Sequence, residues 1–153
     1  PFQTDENLAD DLLFLQKIDV DMVGMGPYIE HPETPLYNFR NEIPEPKTRF
    51  EKTLLMIAII RIMMKNINIA ASTAMDTLDK EGRIKAIIAG ANVLMPNITP
   101  IKYRENYLIY KDKPFIIEAD ELLVRFKSSP LLKDFEIIQG KWGDSPHFKN
   151  KSV

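Results

Sequence analysis

Polar and apolar positions along this chain fall into blocks of two periods. The first block opens on Thr4-Asp5-Glu6-Asn7, a threonine suited to capping a helix followed by carboxylates that complement the positive end of its dipole. Leu8, Leu12, Leu15 and Ile18 then recur at helical spacing, with Asp10, Asp11 and Gln16 off the stripe, and predict a helix. After Asp19-Val20-Asp21 comes Met22-Val23-Gly24-Met25-Gly26, a short apolar run between turn residues that predicts a fully buried strand. Residues 27–46 hold Pro27, Pro32, Pro35, Pro44 and Pro46 and predict a long irregular segment, of the kind that is functional or disordered inside compact domains. Residues 47–64 are helical in type, but their apolar positions wrap far around, which predicts a mostly buried helix. Residues 67–71 predict a second short strand ending in Ser72-Thr73-Ala74-Met75. Residues 80–89 predict a third helix, with Ile84, Ile87 and Ile88 on one side and Gly90 as its stop. Residues 92–95 predict a third strand.

Helices thus alternate with short, nearly all-apolar strands at about 21–25, 67–71 and 92–95, which is the pattern of a parallel α/β fold. Beyond Pro100 the pattern changes. Residues 103–110 predict a short helix with Tyr103, Tyr107 and Tyr110 on one face, 115–118 a small strand, 120–126 a helix and 135–138 another strand, followed by a polar, loop-like tail. Three parallel strands leave two open edges, and open edges invite pairing. Pro1-Phe2-Gln3-Thr4 reads as the end of a strand-to-helix loop, so further strands are expected ahead of this chain.

Composition narrows the function classes. A net charge of −2 offers no electrostatic case for nucleic acid or a membrane surface. The chain has no cysteine, which excludes disulfides and thiolate metal sites within it and fits a reducing, cytoplasmic compartment. The acidic, polar beginning is unlike a signal peptide. The most apolar run, 54–64, is broken by Arg61 and falls short of the roughly 20 residues that span a bilayer.

In parallel α/β folds ligands bind beyond the carboxyl ends of the strands. Gly24 and Gly26 there would let a flat ligand approach the backbone, or would serve close packing and a turn. No helix follows them directly, so they are no dinucleotide fingerprint. Ser72 and Thr73 offer two hydroxyls, to an anion or to neighbouring backbone. Met25, Met75 and Met95 at strand ends read as core, or together as the wall of an apolar pocket. His31 and His147 stand alone, Glu30, Glu33 and Glu42 read as solvated loop carboxylates, and Asp76 and Asp79 as turn or cap residues.

Three stretches in this order resemble one family: ADDLLFLQKIDVDMVGMGPYIEHPETPL, NIAASTAMDTL and AGANVLMPNITPIKYRENYLIY, with WGDSPH near the end. They are similar to the [FeFe]-hydrogenase maturase family HydE, radical S-adenosylmethionine enzymes related to biotin synthase, most strongly over 9–110. The resemblance implies a (β/α)8 TIM barrel whose C-terminal part is 1–110, with 111–153 an extension closing it. It implies a [4Fe–4S] cluster on a CxxxCxxC motif, reductive cleavage of S-adenosylmethionine to a 5′-deoxyadenosyl radical, and a small iron carbonyl-cyanide substrate on the way to the diiron cofactor of hydrogenase. The cluster motif is absent here, so the chain by itself is expected to be inactive, and its partners would be the missing N-terminal half-barrel and other hydrogenase maturation proteins. Carried over by motif, Gly24, Met25, Gly26 and Pro27 lie along the adenine of the cofactor. Met22, Ser72, Thr73, Met95, Tyr107 and Tyr110 face the substrate. Two alternatives remain: a methylornithine synthase or biotin synthase-like enzyme, and a non-catalytic half-barrel that binds a partner or self-associates.

Overall fold

The computed structural model describes residues 1–96, 98–104, 119–140 and 142–151. Thr4 caps the first helix, α1 (Asp5–Lys17), through a reciprocal pair: its hydroxyl accepts from Asn7 N–H, and the Asn7 side chain accepts from Thr4 N–H. Leu12 is buried and Leu8 and Leu15 half-buried, as the stripe predicts, but Ile18 is the exposed C-cap. Asp19, in the left-handed region at φ 57°, turns the chain into β1 (Met22–Met25). The proline-rich segment contains a 3-10 helix, Pro35–Glu42. The long helix α2 (Pro46–Met63) begins on a proline, whose missing N–H costs nothing at a first turn. β2 (Asn68–Ala71) follows, then α3 (Thr73–Leu78), α4 (Gly82–Ala89) and β3 (Val93–Leu94).

The strands form one parallel sheet in the order β1-β2-β3, with Val23 opposite Ile69, Met25 opposite Ala71 and Ala71 opposite Leu94. The α/β class and the parallel order read from the sequence are those observed. Strand side chains alternate between the two faces. Val23, Ile69 and Ala71 join Leu12 of α1, Phe50, Ile57 and Ile60 of α2, and Ile84, Ala86 and Ile87 of α4 in one core. Met22 and Gly24, on the alternate positions of β1, are exposed.

Several expectations are corrected. α2 is mostly buried or half-buried as expected, except for one stripe, where Leu55 and Ile62 are exposed. The strand end Ser72-Thr73-Ala74-Met75 runs straight into a helix, which Ser72 caps by accepting from Ala74 N–H at 3.2 Å. β3 is shorter than 92–95: Asn92 N–H donates to Ile69 O at 2.9 Å, while its side-chain Oδ1, in place of a backbone carbonyl, accepts from Ile69 N–H at 2.8 Å. Residues 135–138 form no strand, and the tail contains α7 (Pro146–Lys151). The helix expected at 120–126 is α6 (Ala119–Ser128). Of the helix expected at 103–110, α5 (Ile101–Arg104) is described; Tyr107, Tyr110 and the strand expected at 115–118 lie outside the described residues.

One arginine fastens the amino ends of the strands. Arg61 donates to Gly90 O at 2.8 Å, Lys65 O at 2.7 Å, Ile67 O at 2.9 Å and Asn92 Oδ1 at 3.0 Å. It therefore joins the end of α2, the entry to β2 and the entry to β3. Partial burial lowers its pKa from the usual arginine value, since the charged form loses solvent. At this same end the tail docks: Gly143 O accepts from Asn68 Nδ2 at 2.6 Å, and His147 N–H donates to Asn66 O at 3.1 Å.

Candidate functional site

The carboxyl ends of β1, β2 and β3 point the same way, so the loops after them share one rim. Gly24, Met25, Gly26 and Pro27, at the end of β1, all line a cavity of about 600 Å³ between α1, β1 and α2. Its other walls include Leu8, Leu15, Val23 and Met56, with Arg49 and Tyr28 toward the loop. The two glycines have different reasons to be glycine. A Cβ on Gly24 would meet no atom within 4 Å. A Cβ on Gly26 would stand 2.6 Å from Ser72 Oγ. Gly24 is therefore an open approach to the β1 backbone, while Gly26 is a close-packing position that brings β1's exit against the cap of α3.

Ser72 and Thr73, adjacent in sequence, divide in role. The Ser72 hydroxyl is engaged as the N-cap of α3. The Thr73 hydroxyl, half-buried, has no hydrogen-bond partner among the described residues and is the one available at the rim. The three methionines do not converge. Met75 is fully buried in the core, Met25 lines the cavity, and Met95 stands 49% exposed beyond β3. Met22 is 48% exposed at the opposite end of β1 from the rim. Tyr103 is exposed, with Lys102 Nζ 4.7 Å from its ring centroid.

Two ion clusters escaped sequence reasoning. Glu30 is not a solvated loop carboxylate: its oxygens accept from Arg49 Nη1 at 3.0 Å and Nη2 at 2.6 Å, and Arg49 is 7% exposed. Arg49 also donates to Tyr28 O, so α2 holds the loop that leaves β1. Arg49 Nε and the Tyr28 hydroxyl are buried without partners among the described residues. Asp76 is more than a turn residue. It is buried between Arg83, whose Nε is 2.6 Å from Oδ2, and Arg125, whose Nη2 is 3.0 Å from Oδ1. No local motif marks either cluster; their members lie 19 and up to 49 positions apart.

At the opposite end, His147 and Lys151 of α7 meet Asp19 and Asp21. His147 Nε2 lies 2.8 Å from Asp19 Oδ1, without the alignment of a hydrogen bond, and Lys151 Nζ lies 2.8 Å from Asp19 Oδ2 and 3.2 Å from Asp21 Oδ1. The Lys151 hydrogen bond holds the Asp19 carboxyl below its usual value, and Asp19 raises Lys151. His147 is thus a residue that docks the tail beside Asp19. His31 accepts from Glu33 N–H through Nδ1 in a turn.

The residues present discriminate between the groups the resemblance implies. The open space at Gly24, beside an apolar cavity, fits a flat heterocycle laid on the strand. A thiolate-bound cluster has no ligands in this chain, which lacks cysteine, and the described residues contain no group of three or more His, Cys, Asp or Glu side chains that could hold a metal.

Parallel strands with crossover helices and a rim of short loops at the carboxyl ends place the chain among α/β proteins of the β-α-β class. No family model matches the chain. A curated relative, the [FeFe] hydrogenase maturase subunit HydE of Thermotoga maritima, is 48% identical to it over 120 residues, 78% of this chain and 33% of that protein. The chain is a HydE relative over most of its length and spans about a third of the length of the relative. No helix among the described residues is long and apolar enough to cross a membrane.

Proposed function

We propose that this chain is the C-terminal portion of a HydE-type maturase, the last three staves of a radical S-adenosylmethionine barrel with an extension after residue 110. The observation that carries the reading is Gly24. It stands on an open stretch of strand beside an apolar cavity, within a sequence 48% identical to HydE over the matched span. In this reading Gly24 gives the adenine of S-adenosylmethionine access to the β1 backbone, Gly26, packed against Ser72, shapes the end of that approach, and Met25 and Pro27 wall it. Ser72 holds the start of α3, and the Thr73 hydroxyl donates to or accepts from the substrate. Met22, Met95, Tyr107 and Tyr110 are proposed to complete the substrate side of the barrel.

When bound, S-adenosylmethionine on a [4Fe–4S] cluster supplies one-electron cleavage of the sulfonium and, from it, hydrogen-atom abstraction. The cluster's ligands would come from the other half of the barrel. This chain's share is to bind, to orient and to exclude water from the reacting atoms. Its substrate would be a small iron carbonyl-cyanide species on the way to the diiron cofactor, and its partners the N-terminal half-barrel and the other maturation proteins.

The test uses a whole HydE-type protein carrying this segment. Thr73→Val, which keeps shape and removes the hydroxyl, is expected to lower substrate turnover at least about tenfold, the worth of one well-placed hydrogen bond to a charged group. Cleavage of S-adenosylmethionine without substrate should change less than about twofold. Equal loss of both would assign Thr73 to the scaffold and remove the substrate reading.

A further inference from the structure

α3 has six residues, too few to persist as an isolated helix, yet it carries Thr73 and is capped by Ser72. Its rigidity must come from what it touches. A Cβ on Gly82 would overlap the carbonyl of Met75, so the backbones of α3 and α4 meet there directly. Beside that contact stands Asp76. Its Oδ1 accepts from Arg83 N–H at 2.9 Å and its Oδ2 from Arg83 Nε at 2.6 Å. Glu81, the N-cap of α4, makes no side-chain cap bond, so Asp76 supplies from α3 the acceptor that the start of α4 needs. The third bond is the distant one: Arg125 of α6 reaches Asp76 Oδ1 at 3.0 Å, across 49 positions of sequence. Asp76 and Arg83 are 8% and 6% exposed, so this carboxylate is fixed on three sides away from bulk water. α6 is itself anchored, with Leu122 and Phe126 in the core.

We propose that Asp76 is a positioning residue, tying the short helix that bears the Ser72–Thr73 rim to α6 through Arg125, so that the C-terminal segment sets where the Thr73 hydroxyl stands. The inference rests on the substrate reading of Thr73 and adds to it a control from outside the strands.

The clamp is tested by amide exchange in a whole HydE-type protein carrying this segment. Asp76→Asn keeps an acceptor for Arg83 N–H and removes the charge; Arg125→Gln removes only the link to α6. In both, the α3 amides are expected to exchange about tenfold faster or more, with Ile69 to Ala71 of β2 unchanged, and Arg125→Lys should recover part of the protection. Unchanged α3 exchange in Arg125→Gln overturns the proposal, whether or not Asp76→Asn folds. In a whole HydE-type protein, Arg125→Gln is expected to raise the KM for substrate about fivefold or more, with the affinity for S-adenosylmethionine unchanged. If Thr73→Val impairs turnover while Arg125→Gln leaves KM unmoved, the positioning role is overturned and the substrate reading survives. If Thr73→Val itself has no effect, the substrate reading falls and the positioning role with it, leaving the clamp as a structural contact.

Discussion

Gly24, Gly26 and Gly90 look alike in a sequence and are constrained differently in space. Gly24 has room for a side chain, so Gly24→Ala is expected to change unfolding free energy by less than about 0.5 kcal/mol while weakening any ligand laid on β1, measured by urea unfolding and by nucleoside binding to the whole protein. Gly26→Ala forces the new methyl against Ser72 and is expected to cost about 1–3 kcal/mol. Gly90 combines φ 128° with a Cβ position 2.6 Å from Arg61 Cβ, so Gly90→Ala should cost at least as much. The residue pattern left both readings of the two β1 glycines open, because whether a glycine is needed depends on what stands opposite its missing Cβ. The same holds for Ser72 and Thr73. Two adjacent hydroxyls are visible in the sequence, but which is spent on a cap is decided by where α3 starts.

At the scale of elements, α1, α2, α4 and the three strands were legible, since each carries a periodicity of its own. α3 was not. It is six residues long, too short for a periodicity of its own, and is held by Met75 in the core together with the contacts of Asp76 and Gly82. The ends of the strands depend on Arg61, which gathers three carbonyls and the Asn92 side chain. Arg61→Met should lower stability by about 2 kcal/mol, because the part-buried carbonyls of Ile67 and Gly90 lose a charged donor at once, and urea unfolding measures it. The docking of α7 has a definite pH dependence. Asp19 is depressed, so its contribution is present above the ordinary aspartate value of about 3.9 and is lost as pH falls through its lower folded value. Lys151 is raised, so its contribution is present below about 10.4 and is lost as pH rises through its higher folded value. Asp19, Asp21, His147 and Lys151 are the titratable groups at this contact. Protection of the His147 amide against exchange should therefore fall below about pH 4 once corrected for intrinsic exchange rates; protection that persists at pH 2 would sink the ion-pair account.

For the whole molecule, the consequence of three strands is an open edge. β1 pairs on one side only among the described residues, with the apolar cavity running between its edge residues and α1. The 153-residue chain by itself is expected to self-associate through that edge, and a monodisperse monomer in sedimentation would count against this. The order of helices and strands, the parallel class and the kinship to HydE were all determined by the sequence, because periodicity and motif spacing are local or ordered along the chain. The tertiary structure alone decided which glycine is open, which hydroxyl is free among the described residues, that Glu30 pairs with the buried Arg49 and Asp76 with the buried Arg83, and that the tail returns to the amino ends of the strands. Apart from the Ser72 cap, which is a local contact, each of those depends on residues brought together from apart in the chain, and no local pattern records what such a side chain will meet.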